Sequence, residues 1–363
     1  MKTTAALLRS PTSPYSIEVV TLADPGPGQV LVRVVATGHC HTDLLPRAGV
    51  LPIPMPMIAG HEGAGVVEAI GDGVAGLAVG DHVVLSFASC GACRPCAEGH
   101  PASCDLFAPL NLFGASLDGS IVATDESGET VAARWFGQSS FARHTLVAER
   151  NAVKIDSDLP LELMAPLGCG LQTGAGTVLN VLKVKAGDSI AVFGTGAVGS
   201  SAIMAAAAAG CTTIVGIDLH PHRLELATEL GATHVVDGRA EDVMEQVIAS
   251  TGRGVDFVVD TTGVNSVVAA AIGALCVRGV AALVGVGQPD LAIPGGALVM
   301  GKTVVGVIEG DSDPKTFIPL LTRLWRTGRF PIEKLVQTFA FNDINEAEAA
   351  AARGDVVKPV LLM

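Results

Sequence analysis

The chain has 363 residues, 49 % hydrophobic and 16 % charged; that suits a large folded protein with room for two domains and excludes broad disorder. A net charge of −13 and only 4 % aromatic residues exclude a nucleic-acid partner, which needs a basic footprint and stacking platforms. The first residues hold no long apolar segment and no small-residue cleavage site, so a cytoplasmic protein is expected and the eight cysteines read as thiols or metal ligands rather than disulfides.

Residues 1–35 alternate short strands with turn residues, punctuated by Pro11, Pro14, Pro25 and Pro27, an all-β beginning. The run Gly38-His39-Cys40-His41-Thr42-Asp43 and the run Gly60-His61-Glu62-Gly63 follow. Cys40 and His61 are suitable zinc ligands, and Asp43 and Glu62 stand beside them as carboxylates able to orient ligands. Taken singly each is ambiguous, because a lone Cys is often core filler and a lone His is often only hydrogen-bonded. Cys90, Cys93, Cys96 and Cys104 are separated by two, two and seven residues. Four thiolates so close repel one another unless neutralised, and a tetrahedral structural zinc does that; an iron–sulfur cluster also takes four thiolates, but at other usual spacings. Residues 105–140 read as mixed and loop-rich, and 141–155 return to strands. Cys169 stands about twenty residues before the next strand and is a candidate third ligand.

The stretch 189–218 reads strand, glycine turn, helix, strand. Residues 190–193 are an apolar strand, and Gly194-Thr195-Gly196-Ala197-Val198-Gly199 fits the dinucleotide fingerprint. Gly194 allows the tight turn, Gly196 lets a pyrophosphate approach the backbone, and Gly199 lets the helix lie close on the strand. The helix start offers free N–H groups to that pyrophosphate. Asp218, 19 residues past Gly199, is placed to accept the adenosine ribose hydroxyls and to repel a 2′-phosphate, which selects NAD over NADP. Arg223, on a helix opened by Pro221, is placed to bond the same ribose. The uncharged stretch 189–217 also has the length of a membrane span, but glycines, serines and threonines interrupt it, and a doubly buried parallel strand gives the same apolar run. Strands are expected near 190–193, 213–217, 234–236, 255–259, 281–285 and 303–307, as a doubly wound sheet requires. A helix near 313–327 and a last strand around Lys358 are expected to rejoin the first domain. Cys211 and Cys276 read as small buried hydrophobes.

Together these residues resemble the zinc-containing medium-chain alcohol dehydrogenases over essentially the whole chain. The runs at 38–43 and Phe136-Gly137-Gln138-Ser139-Ser140-Phe141 resemble most the bacterial aryl (benzyl) alcohol dehydrogenases. The resemblance implies an α/β protein: a mainly β, GroES-like catalytic domain over 1–170, to which 309–363 returns, and an NAD-binding Rossmann domain over 171–308. It implies two zinc ions per subunit. The catalytic one falls to Cys40, His61 and Cys169, the family's known ligand set, and the structural one to Cys90, Cys93, Cys96 and Cys104. Glu62 matches the family's acid behind the metal, and Thr42 the hydroxyl that takes the substrate proton. Thr173 and Val198 match positions lining the nicotinamide, and Val284 and Val286 backbone positions that bond its amide. His41 and Lys358 match the two basic positions on the pyrophosphate. One departure is Leu45, where many relatives carry the histidine that ends the proton relay; the relay then ends on the ribose hydroxyl, water or another base.

The implied reaction is the reversible oxidation of a primary alcohol to the aldehyde, with the alcohol proton passing to Thr42 and the hydride to NAD. Aryl alcohols lead; allylic terpene alcohols and medium-chain ω-hydroxy acids are alternatives, with Phe87, Leu51 and Leu110 as pocket walls. Two other classes are weighed. A zinc hydrolase would cleave esters without nicotinamide. A non-catalytic relative would have lost ligands, yet six candidate cysteines and His61 are present. The expected partners are a small alcohol or aldehyde and further copies of the chain, as a homodimer or homotetramer, with no nucleic acid and no membrane.

Overall fold

Beyond residue 188, short β-branched runs alternate with alanine-rich helices, and they build one parallel sheet. In this computed structural model, which describes residues 1–49, 51, 53–287, 290–293 and 295–363, the sheet has six strands. They lie in the order His234–Asp237, Thr213–Asp218, Ser189–Phe193, Val255–Asp260, Leu275–Leu283 and Thr303–Gly306. In chain order that is 3-2-1-4-5-6, all parallel, the Rossmann arrangement. The fifth strand begins at Leu275, earlier than expected, because Leu275 pairs with Val255 across a register shift before the regular ladder resumes. Helix Ala197–Ala209 follows the first strand and ends on Gly210 in the left-handed conformation. The uncharged stretch is therefore a strand, a helix and a strand. Among the described residues no helix is long and apolar enough to cross a membrane.

Contacts divide the chain into two units: Met1–Cys169 with Asp313–Pro319 and Leu335–Met363, and Gly170–Ser312 with Leu320–Lys334. Segment 320–334 thus groups with the nucleotide-binding unit, where the sequence suggested the catalytic one; the division falls inside the helix Pro314–Arg326.

The first unit is mainly β and GroES-like. One sheet orders Met57–Ile58, Lys2–Leu8, Ser16–Leu22, Ala123–Asp125 and Thr130–Val131. A second orders Ala152–Ile155, His82–Leu85, Glu62–Ile70, Gln29–Gly38, Lys358–Leu362 and Val336–Ala340, with His144–Ala148 also paired to Gln29–Gly38. Register in this second sheet decides where the chemistry sits. Gly38 pairs with Glu62 on one side and with Val360 on the other. Cys40, His61 and Lys358 therefore converge although Lys358 lies hundreds of residues further along the chain. A core of Leu7, Leu8, Met57, Phe87, Trp135, Phe136 and Phe141 packs under this end of the unit.

Candidate metal and nucleotide sites

Cys40 follows the end of strand Gln29–Gly38, and His61 immediately precedes Glu62–Ile70, so the strand pairing brings the two side chains together. Cys169 arrives on a separate segment, tied by Ser86 Oγ, which donates to the Gly168 carbonyl at 2.7 Å. The ligand atoms of Cys40, His61, Glu62 and Cys169 all lie within 4.8 Å of one another. The fit to a metal ion rests on His61. Its ring is fully buried, Nδ1 bonds Asp43 Oδ1 at 2.8 Å, and Nε2 has no hydrogen-bond partner. A buried imidazole nitrogen left with its lone pair facing two sulfurs is what zinc requires. The Cys169 sulfur beside Cys40 holds the Cys40 thiol well below its ordinary pKa, against the effect of burial and with help from Lys358 and His61. Low thiol pKa values favour the thiolates that bind metal.

Lys358, expected on the pyrophosphate side of the cofactor, is tied to the acid of the metal-ligand group. Its ammonium is buried and lies 2.9 and 2.8 Å from the two Glu62 carboxylate oxygens and 3.4 Å from the His39 carbonyl. The strand register that carries Val360 to Gly38 also carries Lys358 inward. Burial opposes the charge on Lys358, but Glu62 and the Cys40 and Cys169 sulfurs raise its pKa above the ordinary lysine value. Thr42 is partly exposed beside Cys40, in the short helix His41–Leu44, and His41 is exposed.

Three buried residues to which the sequence reading gave no role at the site brace this group. Trp135 Nε1 donates to Asp43 Oδ1 at 3.1 Å. Gln138 donates from Nε2 to the His61 carbonyl at 2.9 Å and accepts the Gly63 N–H at 3.1 Å. The ring of Phe136 stacks on His61 with centroids 4.6 Å apart. The signal available in the sequence was the run 136–141 that carried the family resemblance, with one of only two tryptophans immediately before it.

Cys90, Cys93, Cys96 and Cys104 also place their sulfurs within 4.8 Å of one another. Backbone N–H groups point at them: Ala92 and Cys93 donate to Cys90 Sγ, and Cys90 and Leu106 to Cys104 Sγ, at 3.3–3.4 Å. The two donors hold the Cys90 thiol down at about 6, while burial pushes Cys96 up to about 12. Such a set is balanced by one tetrahedral cation with four sulfur ligands.

In the nucleotide-binding unit, Gly194 has φ +85°, and a Cβ on Gly199 would lie 1.8 Å from the Gly194 carbonyl oxygen. Gly196 caps the helix with no side chain over its first N–H groups, and a Cβ there would meet nothing within 4 Å. The cradle fits a pyrophosphate. Asp218 Oδ2 accepts the Thr195 N–H at 2.8 Å and its hydroxyl at 3.1 Å, while among the described residues Oδ1 accepts only the His220 N–H, at 3.0 Å. Arg223 Nη1 is 4.0 Å from Asp218, and its buried Nε has no partner. Thr173 is buried, with its hydroxyl 3.4 Å from Glu309. Val198 lies in the first turn of the helix; the Val284 N–H is committed to the Asp260 carbonyl, and Val286 is 84 % exposed. Cys211 is half-buried, its thiol pushed up to about 11 by burial, and Cys276 is buried.

Comparison with known proteins bears on both units. Residues 26–157 match the alcohol dehydrogenase GroES-like domain family, and residues 197–325 the zinc-binding dehydrogenase family. A geraniol dehydrogenase of Castellaniella defragrans is 44 % identical over 99 % of this chain and 97 % of its own. The chain belongs to the zinc-containing medium-chain alcohol dehydrogenases. Among solved structures of this family, a zinc-binding-domain alcohol dehydrogenase from Burkholderia ambifaria superposes with TM-score 0.98 at 47 % identity, covering 100 % of this chain and 99 % of that one. The benzyl alcohol dehydrogenase of Acinetobacter calcoaceticus gives 0.96 at 40 % identity, with the same coverage. As a member of this family the protein is an alcohol dehydrogenase, and its cofactors are zinc and NAD.

Proposed function

We propose that the protein oxidises primary alcohols whose carbinol carbon is bonded to an sp2 carbon, benzylic or allylic, reversibly to the aldehyde. The observation that carries this is an aromatic row beside His61. Phe136 stacks on the imidazole, Phe107 meets Phe136 edge-on at 6.2 Å, and Phe87 lies 5.8 Å from Phe107. Such rings favour a flat, polarisable substituent over a saturated one. The similarity to a geraniol dehydrogenase and a benzyl alcohol dehydrogenase supports the same class, since both names denote such alcohols.

Cys40, His61 and Cys169 would hold the catalytic zinc, and the four-cysteine group the structural one. Zinc held there would supply a Lewis acid for the alcohol oxygen, and bound NAD a hydride acceptor. Thr42 takes the alcohol proton. Leu45 stops the relay from continuing along this helix, so the proton leaves through a ribose hydroxyl or water. Asp218 keeps Oδ1 lone pairs for the adenosine ribose and repels a 2′-phosphate. The exposed Val286, Val299 and Met300, near the edge strand Thr303–Gly306, support self-association as a homo-oligomer.

The test is turnover with NAD on matched pairs: benzyl alcohol against cyclohexylmethanol, and geraniol against its 2,3-dihydro analogue. The unsaturated member of each pair should lead in kcat/KM by on the order of tenfold. Equal values would remove the sp2 preference, a lead for ω-hydroxy acids would move the assignment to that class, and ester cleavage without nicotinamide would favour a hydrolase.

A further inference from the structure

We infer that Trp135 is a positioning residue for the catalytic metal, acting through Asp43 on His61; this rests on the reading that Cys40, His61 and Cys169 share one ion. Asp43 is fully buried, and its carboxylate gathers the site. Oδ1 accepts the Gly60 N–H at 3.0 Å, bonds His61 Nδ1 at 2.8 Å and accepts the Trp135 indole N–H at 3.1 Å; Oδ2 accepts the Cys40 N–H at 3.1 Å. One carboxylate thus ties the backbone at one sulfur ligand to the ring of the imidazole ligand. With Nδ1–H given to Asp43, His61 presents Nε2 as the lone-pair nitrogen. Metal-binding imidazoles depend on such partners for tautomer and ring orientation.

Among the described residues the indole is the one side-chain donor on Asp43 besides His61, and the chain is bent to deliver it. Phe136 has φ +49° and Ser139 φ +50°, a left-handed backbone that a bulky residue such as phenylalanine rarely adopts. Ser139 Oγ accepts the Trp135 N–H at 2.9 Å, and Thr145 Oγ1 donates to the Gln138 carbonyl, closing the turn. Across this turn Gln138 grips the backbone on both sides of Glu62, at His61 and Gly63. The Trp135 indole, buried with 0 % exposure, holds Asp43 in the one pose that serves both ligands. Plain core filling would need only the aromatic bulk, which packs edge-on against Phe136 at 5.3 Å.

Trp135→Phe keeps the bulk and removes the N–H. The readout is the rate at which the holoenzyme loses zinc to a chelator, with zinc counted per chain. Trp135→Phe should release the catalytic zinc about ten to a hundred times faster than the parent, with the four-cysteine zinc retained. In an Asp43→Asn background the same change should add nothing, because both substitutions break one link. Trp325→Phe, at an indole bonded to Glu333 on the surface, should release zinc at the parental rate. An unchanged rate in Trp135→Phe, or effects of Trp135 and Asp43 that multiply, would overturn the inference. A parent that carries only the four-cysteine zinc would overturn the reading beneath it as well, which separates the two failures. Should Trp135→Phe not fold, Trp325→Phe leaves a single indole, and adding Asp43→Asn should move its N–H proton resonance upfield; an unmoved resonance overturns the link.

Discussion

The two metal-ligand groups of the first unit are built in opposite ways. Cys90, Cys93, Cys96 and Cys104 come from one short loop, are mostly half-exposed, and rely on backbone N–H groups aimed at sulfur. Cys40, His61 and Cys169 come from three separate segments, and buried side chains hold them: Asp43 beside Cys40, and Trp135, Gln138 and Lys358 from still other segments. The local group has four identical ligands and no position left for substrate, so it serves the fold. The dispersed group has a carboxylate, Glu62, beside its three ligands and Lys358 on that carboxylate, and its order has to be supplied by the fold.

That contrast predicts that breaking the two groups costs different things. Cys93→Ser removes one of four sulfurs from a site whose metal binding is folding energy. It should cost more than about 5 kcal/mol, with a large fall in Tm and loss of one zinc per chain; a parental melting curve would put the structural role elsewhere. Lys358→Met removes the buried ammonium that lies 2.8–2.9 Å from both Glu62 carboxylate oxygens, and should cost about 3–5 kcal/mol. Adding Glu62→Gln should recover most of that in thermal melts; if it does not, the pair is not the source of the loss.

The dispersed group also has an outer brace that titrates. Glu348 receives His39, next to Cys40, at 3.4 Å and Arg47 at 3.2 Å. Burial works against its carboxylate, yet His39 and Arg47 hold it below its usual pKa. A carboxylate with a depressed folded-state pKa stabilises the fold above its unfolded value, near 4.3, and loses that contribution as pH falls through the lower folded value. Glu348→Gln should therefore cost up to about 1 kcal/mol at pH 7, solvent screening included. The gap to the parent should close below about pH 4 in denaturant titrations. A gap independent of pH would exclude the charge as its cause.

The same contrast explains what could be read in advance. The four cysteines and the turn at 194–199 were legible because their chemistry is local: spacing alone places four sulfurs on one ion, and glycines at fixed offsets make one turn. The strand–helix alternation gave the Rossmann unit for the same reason, and only the early start at Leu275 depended on a neighbouring strand. Trp135 was invisible because its partner Asp43 is 92 residues away, and Gln138 because its partner His61 is 77 away. The Lys358–Glu62 pair was not legible, since nothing local shows that strand pairing aims Lys358 at Glu62, 296 residues distant. The stretch 105–140 looked like plain loop, and it carries the brace of the metal site.

The central claim is that Cys40, His61 and Cys169 hold a second zinc that serves the chemistry and not the fold. Zinc content, turnover and NAD affinity measured together on Cys169→Ala test it most directly. The account predicts one zinc per chain where the parent has two, turnover lower by on the order of a thousandfold, and NAD binding close to parental. Two zinc ions retained with turnover intact would contradict it.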